Sequence, residues 1–341
     1  MSNLISGTTF QKPVLSIGIP IYKRPDLLRH CLNSIIVAAA DFSVPVYLYD
    51  DSLSGINTDV IREAQKRYDF IFHVINEKNL GIDENIAKSV EQTPSKYVWL
   101  LGEDDLLAPD AIHQVFAMLE KSHLHYFYCN YSYISNDYTR IIREKRIELD
   151  NNCVVAGAEF FERYIWASGF IGSCIIATDA WLKIDRKKYE HTFFTHVGVI
   201  AELIADTSVQ IMSVPLVKNR AEDVSSTSWN AVPFDVMFGW DKMLGLAGKF
   251  YSKKSLEKAR VAQEAVFWHR SLLFLMSKRA DRAYSLAEFS KYIKPNDFKP
   301  YFKLMAVVIA VLPVFIFKVV KTALGSGIKN FIRRVLFGLH S

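Results

Sequence analysis

Short apolar runs alternate with amphipathic segments through the first 130 residues, and this alternation constrains the fold more than any other feature of the chain. The apolar runs predict strands at 14–20, 44–51, 70–76, 96–101 and 125–131. The amphipathic segments predict helices that begin at Pro25 and that cover 59–68, 83–92 and 109–121. Parallel strands joined by crossover helices produce this order. We therefore predict an α/β fold with a Rossmann-like, mostly parallel sheet, helices on both of its faces, and a helical C-terminal region.

The composition excludes several classes of protein. Half of the 341 residues are hydrophobic and 23% are charged, so the chain can bury a real core. The net charge of +5 is too small to indicate a nucleic-acid partner. The four cysteines lie far apart, which predicts neither a zinc site nor a disulfide framework. The N-terminal residues lack a basic region followed by an apolar run, so we expect a cytosolic catalytic body rather than a secreted protein.

The C-terminal part of the chain has a different pattern. Periodic apolar residues over 236–292 predict helices. A nearly continuous apolar run at 304–317, interrupted by Pro313, reaches only the lower limit of a membrane-spanning length. The segment 327–339 has an apolar face and a basic face, as helices on anionic membrane surfaces do. We predict that 301–341 associates with a membrane; the alternatives are a buried helix and a contact between copies in a homo-oligomer.

Acidic residues cluster at or just beyond the ends of the predicted strands. The clusters are Asp50–Asp51, Asp83–Glu84 and Glu103–Asp105. Ligands bind at the carboxyl ends of strands in such sheets, where carboxylates accept hydrogen bonds from a ribose or ligate a hard divalent cation. A dication would also offset the repulsion within the third cluster. The alternative is that these acids are solvated turn residues that cap the next helix.

Four segments carry a resemblance to a known family. They are, in chain order, LSIGIPIYKRPDLLRHCLNSI, VYLYDDSLSG, NEKNLGIDENIAKSV and YVWLLGEDDLL. Their order and spacing resemble the nucleotide-binding half of family 2 glycosyltransferases with the GT-A fold, and in particular the bacterial O-antigen abequosyltransferase-type enzymes. Those enzymes share the NLG-x-D-x-N segment and have a glycine where most of the family has the first Asp of Asp-x-Asp-Asp. The resemblance is good over 14–125, weaker to about 225 and absent beyond.

The resemblance, taken together with the C-terminal patterns described above, implies a domain organisation. A glycosyltransferase domain would cover 1–235, with a nucleotide-binding half at about 14–130 and an acceptor half at about 131–235. A helical extension would follow at 236–300, and the membrane-association segment would be 301–341.

The resemblance also implies the residues of a nucleotide-sugar site. Matched to the family's motifs in this sequence, they are Pro20, Tyr22, Arg24, Asp50, Asp51, Asn79, Gly81, Asn85 and Asp104. The metal motif implies a divalent cation, Mn²⁺ or Mg²⁺, with Asp105 as its first ligand. Gly102 removes one carboxylate from that motif. Glu103 is expected to compensate, because residues two apart on an extended chain point to the same side.

The resemblance is less regular in the second half of the predicted glycosyltransferase domain. Inverting members of the family place a carboxylate base at the start of a helix. Here the matching position is His196, which is a candidate base, a candidate third metal ligand or a structural histidine. Glu202, further along the same predicted helix, is a second candidate base. Arg220 is a candidate for binding the diphosphate, with Asp223 and Ser225 in a predicted lid.

Tryptophans in this half are candidates for packing against a sugar ring. They are Trp166, Trp181 and Trp229. The alternative for each of them is a place in the hydrophobic core.

The resemblance implies a metal-assisted glycosyltransferase. Its donor would be a nucleoside diphosphate sugar, and its acceptor a hydroxyl of a lipid-linked glycan in O-antigen or capsule synthesis. We expect the enzyme at the inner face of the cytoplasmic membrane, held there by its C-terminus. Two alternatives stay open, a non-catalytic scaffold with the same fold and a nucleotidyltransferase, although the glycine-rich phosphate loop of the latter is absent from the N-terminal sequence.

Overall fold

The computed structural model of the chain describes residues 12–220, 232–267 and 270–323. The strands in these residues are β1 Leu15–Ile21, β2 Val46–Asp50, β3 Ile71–Ile75, β4 Tyr97–Leu100, β5 Leu106–Leu107, β6 Tyr126–Ile134, β7 Ile141–Arg143, β8 Cys153–Ala156, β9 Cys174–Ala177 and β10 Ser208–Arg220. The α-helices are α1 Pro25–Ala38, α2 Thr58–Gln65, α3 Ile82–Glu91, α4 Ala111–Leu119, α5 Gly157–Tyr164, α6 Thr178–Trp181, α7 Thr195–Leu203, α8 Pro233–Ala247, α9 Lys253–Phe267, α10 Leu272–Ala280, α11 Leu286–Glu288, α12 Pro300–Val311 and α13 Val314–Ala323.

All of these strands belong to one sheet, in the order β3-β2-β1-β4-β9-β6-β10-β5, with β7 paired to β6 and β8 to β10. The first four positions are parallel. Strand β9 then inserts antiparallel between β4 and β6, and beyond it parallel and antiparallel pairs mix. The predicted α/β fold class and the helical C-terminal region are confirmed, and the parallel arrangement describes the first half of the sheet.

The first half folds as its hydrophobic pattern requires. Every residue of β1 and β4 is buried, as expected for strands covered by helices on both faces. Gly18 in β1 allows α3 to approach closely, because an added Cβ would lie 2.6 Å from the carbonyl oxygen of Ser89. This packing brings the carboxyl ends of β1, β2 and β4 to one edge, together with the start of α3.

Helix α3 also joins the two halves of the chain. Asp83 accepts hydrogen bonds from the backbone N–H groups of Phe193 at 2.9 Å and Thr195 at 3.2 Å, and so caps α7. Arg186 donates to Glu84 at 2.8 Å and also to Glu91. The Asp83–Glu84 cluster is therefore neither a pair of solvated turn acids nor a metal pair, because both side chains are engaged in contacts between the two halves.

The C-terminal helices add a second core to the first. The main core includes the α8 side chains Val236, Trp240 and Met243, whereas Phe234 on the same helix belongs to the second core. The second core is completed by side chains of α10 and α12, by the segment between them, and by Phe317 of α13. Helix α8 thus spans the predicted boundary at 235 and contributes to both cores; the domain limits themselves stay predictions.

The predicted membrane segment is described only in part. Among the described residues, no single helix is both long and apolar enough to cross a membrane. The helices Pro300–Val311 and Val314–Thr322 reach that length only as a pair, with a bend of 101° between them. The basic amphipathic segment predicted at 327–339 lies outside the described residues, as do Asp223, Ser225 and Trp229.

Candidate active site

A cavity of about 400 Å³ lies at the carboxyl edge of the sheet. Its charged lining residues are Arg24, Glu103, Asp104, Asp105, Arg146 and Arg220. Its aromatic lining residues are Tyr131, Tyr133, Trp166, Phe170, Phe194, Trp240 and Phe267. The lining therefore comes from both halves of the chain and from helices α8 and α9.

Asp105 and Glu103 are the buried acids of this cavity. Asp105 is 3% exposed, and burial raises its pKa well above the usual range, with the charge of Asp104 adding to the shift. Glu103 Oε2 accepts a hydrogen bond from the backbone N–H of Tyr22 at 2.8 Å. Burial raises the pKa of Glu103 to about 7, although that hydrogen bond and the charge of Arg24 oppose the shift. Both carboxylates thus lie where added positive charge would be stabilising.

Gly102 has a steric reason to lack a side chain. An added Cβ would lie 2.4 Å from Asp105 Oδ2 and 3.3 Å from Asp104 Oδ1. The Asp105 carboxylate therefore occupies the space into which a first acid of the Asp-x-Asp-Asp motif would extend. A side chain at position 102 would therefore require the Asp105 carboxylate to shift from this position.

Asp104 lies between two arginines from distant parts of the chain. Arg24, in the loop after β1, donates from Nη1 to Asp104 Oδ2 at 3.0 Å. Arg220, at the end of β10, donates from Nη2 to the same oxygen at 3.2 Å. Arg24 Nε also lies 3.4 Å from Glu103 Oε1. Two guanidinium groups thus converge at the cavity, the arrangement that recognises phosphate oxygens.

The donor set fits the chemistry of a divalent cation. Glu103, Asp104 and Asp105 offer hard oxygen ligands in the cavity lining, and two of them, Glu103 and Asp105, are buried. Within the part of the chain that the structure describes, no three His, Cys, Asp or Glu side chains form a group that could hold a metal ion as they stand. Ligand chemistry and burial therefore fit a cation at Asp105 and Glu103, whereas a ready-made cluster of three ligands is absent from the described residues.

Asp50 is buried at the end of β2 and satisfied by protein groups. Its carboxylate contacts His73 Nε2 at 3.0 Å and accepts from the backbone N–H of Ser52 at 2.8 Å. Burial by itself would raise the pKa of Asp50, but the hydrogen bonds from His73, Ser52 and Asn57 outweigh it and hold the pKa below the usual value. Asp50 thus organises the loop that follows β2.

Asp51 holds the segment before α3. It accepts hydrogen bonds from the Asn76 side chain at 2.6 Å and from the backbone N–H groups of Leu80 at 3.1 Å and Gly81 at 3.0 Å. Gly81 has a φ of 79°, a conformation that favours glycine. The NLG segment therefore owes its shape to Asp51.

The amides of that segment have local partners. Asn79 Oδ1 accepts from the Gly81 backbone N–H at 2.9 Å, and Asn85 donates to the carbonyl of Tyr49 at 2.9 Å.

The cavity brings together only part of the predicted site. The predicted residues that line it are Pro20, Arg24, Glu103, Asp104, Asp105, Trp166 and Arg220. Others at the same edge of the sheet do not line it: Tyr22, Asp50, Asp51, Asn79, Gly81 and Asn85. A contact of this second group with the nucleotide stays a prediction.

His196 and Glu202 lie away from the cavity. His196 is fully buried, and its Nε2 lies 3.1 Å from the carbonyl oxygen of Ser168. Burial lowers the pKa of His196 to about 4. Glu202 accepts from the hydroxyl of Tyr189 at 3.1 Å and pairs with Lys188. Neither placement supports a role as the base, because neither side chain lines the cavity; a buried structural histidine, one of the alternatives drawn from the sequence, fits the geometry of His196.

His196→Gln tests this placement through acid stability. In the unfolded chain a histidine gains its proton near pH 6.5, whereas His196 in the folded chain gains it only near pH 4. Neutral His196 therefore makes stability fall as the pH drops from about 6.5 to 4, and has no effect above that range. We expect the melting temperature of H196Q to fall less steeply over this range than that of the wild type, and sugar transfer to stay close to wild type. A large loss of transfer with unchanged stability would restore His196 as a catalytic residue.

Sequence reasoning missed several lining residues. Tyr131 and Tyr133 lie two apart on β6, and this alternation was the available signal for a shared face. Nothing in the sequence marked Arg146, whose guanidinium lies over the Trp166 ring at 4.4 Å. Trp181, in contrast, is buried outside the cavity and donates to Glu91 at 3.2 Å.

Comparison with known proteins identifies what the chain is similar to. Residues 16–184 match the family described as "Glycosyl transferase family 2". Abequosyltransferase RfbV of Salmonella typhimurium is 25% identical over 296 residues, which cover 81% of this chain and 88% of that protein.

Solved structures support the fold. The structure of Staphylococcus aureus TarS 1–349 superimposes with a TM-score of 0.58 at 12% identity, covering 92% of each chain. A longer TarS structure superimposes with a TM-score of 0.57, and there the chain spans only 55% of the length of its relative. At such identities the likeness shows the fold alone. Taken with the sequence match, it shows that the chain carries, over residues 16–184, a family 2 glycosyltransferase domain with the GT-A fold.

Proposed function

We propose that the chain transfers a sugar from a nucleoside diphosphate sugar to a hydroxyl of a lipid-linked glycan during synthesis of a cell-surface polysaccharide such as O-antigen. The observation that carries the proposal is the convergence of Arg24 and Arg220 on Asp104, beside buried Glu103 and Asp105, in one cavity. The family match and the likeness to an abequosyltransferase support the reaction class. Structures of TarS in complex with UDP and with UDP-GlcNAc, which share the fold, support the class of donor.

The two arginines are the proposed diphosphate clamp. In the free protein both donate to one oxygen of Asp104, so each can exchange that carboxylate for a phosphate oxygen of the donor. Asp105 and Glu103 would hold the divalent cation, which when bound supplies positive charge to the departing diphosphate. The aromatic part of the lining excludes water from the bond that breaks and so disfavours hydrolysis. His196 and Glu202 have no part in this mechanism.

A screen of nucleotide sugars against the full chain tests the proposed function. We expect donors that share one nucleoside diphosphate to raise the melting temperature, and the increase to grow with Mn²⁺ or Mg²⁺, because a ligand that binds only the folded state stabilises it. The nucleoside diphosphate released in the presence of a lipid-linked glycan extract then measures turnover. Stabilisation without any turnover would favour the non-catalytic scaffold. The absence of stabilisation by every donor in the screen would contradict the proposed function.

We also propose that helices α12 and α13 rest on the inner face of the cytoplasmic membrane. Exposed apolar side chains on this pair are Tyr301, Leu304, Met305, Val311, Phe315 and Val319. Lys318 lies on the same helix as the last two and favours anionic headgroups, whereas Lys321 on that helix is paired with Asp281. Deleting the whole segment would be a poor test, because Phe302 and Ile309 belong to the second core.

The double variant Leu304→Glu, Phe315→Glu is the sharper test of membrane contact. The two side chains are 65% and 66% exposed, so the variant should stay folded while carboxylates replace apolar groups at the proposed contact. We expect it to co-sediment much less with vesicles of phosphatidylglycerol and phosphatidylethanolamine than the wild type. Val261→Glu is the matched control, because Val261 is 62% exposed on α9. Equal sedimentation of the double variant and the wild type would rule out this surface.

A further inference from the structure

Trp166 lines the cavity, and two contacts fix the orientation of its indole ring. The guanidinium of Arg146 lies 4.4 Å from the centre of its ring, a cation–π contact. Its Nε1 donates to the carbonyl of Arg163 at 2.8 Å, a bond at the protein surface. The side chain is half-buried and lines the cavity. The ring therefore has two independent constraints on its orientation while part of it stays accessible.

Arg146 is fixed in turn by the strand beside it. It is 6% exposed, and its backbone N–H donates to the side-chain oxygen of Asn130 at 3.1 Å and to the carbonyl of Tyr131 at 2.8 Å. Its guanidinium also lies 5.6 Å from the ring centre of Tyr133, a second aromatic residue of the lining. A buried arginine with fixed backbone contacts keeps the indole ring in one orientation, so that little ordering is required when a ligand packs against it.

The position of Trp166 favours the acceptor over the donor. The acids and arginines that fit a diphosphate come mainly from the carboxyl ends of β1 and β4, and Glu103 and Asp105 among them are buried. Trp166 belongs to the second half of the domain, and its indole N–H bond is at the surface. This separation of the surface-reaching indole ring from the buried acids favours an acceptor sugar at Trp166.

We propose that Trp166 stacks against the pyranose ring of the acceptor glycan and that Arg146 is the positioning residue that orients it. Aromatic rings present a flat apolar face, and a pyranose presents C–H groups that pack on such a face. The assignment deepens the proposed function and rests on it for the identity of the reaction, but the binding of a sugar ring can be measured without any transfer.

Four variants of the full chain separate this role from a structural one. They are Trp166→Ala, Trp166→Phe, Arg146→Lys and, as the matched control, Trp181→Phe. Trp181 is a buried tryptophan outside the cavity, whose Nε1 bonds to Glu91. Saturation-transfer NMR with methyl α- and β-hexopyranosides measures sugar binding, and thermal shift with UDP, GDP, CDP and dTDP measures nucleotide binding.

We expect the affinity of W166A for methyl hexopyranosides to fall about tenfold, the size of an aromatic stacking contribution. W166F should lose less affinity because it keeps an aromatic ring. R146K should keep part of the wild-type sugar affinity because it keeps the cation beside the indole ring. W181F should lower the melting temperature and leave sugar binding unchanged. Nucleoside diphosphates should stabilise all four variants as they do the wild type. With an active acceptor, W166A should raise KM for that acceptor and leave kcat nearly unchanged.

Three results would overturn the assignment. One is that the wild type binds no methyl hexopyranoside, and another is that W166A binds them as the wild type does. The third is that W166A loses only the extra stabilisation that a nucleotide sugar gives over its nucleoside diphosphate, which would place the donor sugar on this ring. Sugar binding that depends on Trp166 without nucleotide binding would uphold the stacking surface and contradict the proposed function. Nucleotide binding without sugar binding would contradict the stacking surface and uphold the proposed function.

Discussion

Asp105→Asn is expected to reduce sugar transfer by at least about a hundredfold while the chain stays folded. Asparagine matches aspartate in size, so it fits the space that Asp105 fills against Gly102. It lacks the negative charge that would hold a divalent cation beneath the diphosphate. In transfer assays the loss should appear in kcat, because the charge matters most as the diphosphate departs.

The stability of D105N should move in the opposite direction to its activity. Burial raises the pKa of Asp105, so the folded chain holds a proton there more tightly than the unfolded chain does. The stability that this proton gives the folded chain is therefore lost progressively as the pH rises from the unfolded pKa of the carboxyl to its folded pKa, a loss that the uncharged amide of D105N avoids. Without divalent cations we expect D105N to melt at or above the wild-type temperature.

Divalent cations complete the test of Asp105. Added Mn²⁺ should stabilise the wild type and leave D105N unchanged. Asp110→Asn is the matched control, because this exposed aspartate accepts from Gln114 at 2.7 Å and does not line the cavity. An active D105N, or a D105N that is stabilised by Mn²⁺ as much as the wild type, would remove Asp105 from the site.

Gly102→Asp should inactivate the chain although it restores the acid that is commoner in the family. The new Cβ would lie 2.4 Å from Asp105 Oδ2, so either Asp105 or the β4 end has to shift. A fourth carboxylate would also join three that already repel one another. We expect a loss of stability of about 1–3 kcal/mol and at least about a hundredfold less transfer. Denaturant unfolding and the transfer assay measure the two effects.

Two variants separate shape from charge at this position. Gly102→Ala adds the clash without the carboxylate. If the close approach of Asp105 causes the losses in stability and transfer, G102A should show most of both. Gly245→Asp places the same aspartate in α8 at a glycine whose added Cβ would meet nothing within 4 Å. It should leave transfer unchanged. Full activity of G102D would mean that Asp105 does not need the space that the structure gives it.

The first half of the fold is predictable from sequence because its signals are local. The five predicted strands and four predicted helices up to residue 134 appear within a few residues of their expected limits. Apolar strands closed by proline or acids, and helices with Leu28, Cys31 and Ile35 on one face, are recognised from neighbouring residues alone. The position of the acids at the strand ends follows from the same pattern.

The second half of the sheet and most contacts of the candidate site depend on residues that are distant in sequence. The insertion of β9 between β4 and β6 and the pairing of Arg220 with Asp104 join segments that no periodicity connects. The same is true of Asp83, whose part in capping α7 needs a helix 110 residues away. His196 shows most clearly what the sequence alone cannot predict. Its position in a motif suggested chemistry, but its burial against Ser168 is a property of the packed core.

Under the proposed function, the shared contact of Arg24 and Arg220 with Asp104 would affect the speed of the catalytic cycle. A clamp of two bare guanidinium groups would hold the spent nucleoside diphosphate tightly and slow its departure. Asp104 offers both groups an alternative anion within reach, so it would replace each phosphate contact of the proposed clamp as that contact breaks. The same carboxylate would then weaken the capture of the donor and speed the escape of the product. The proposed clamp would thus give up some affinity in exchange for turnover.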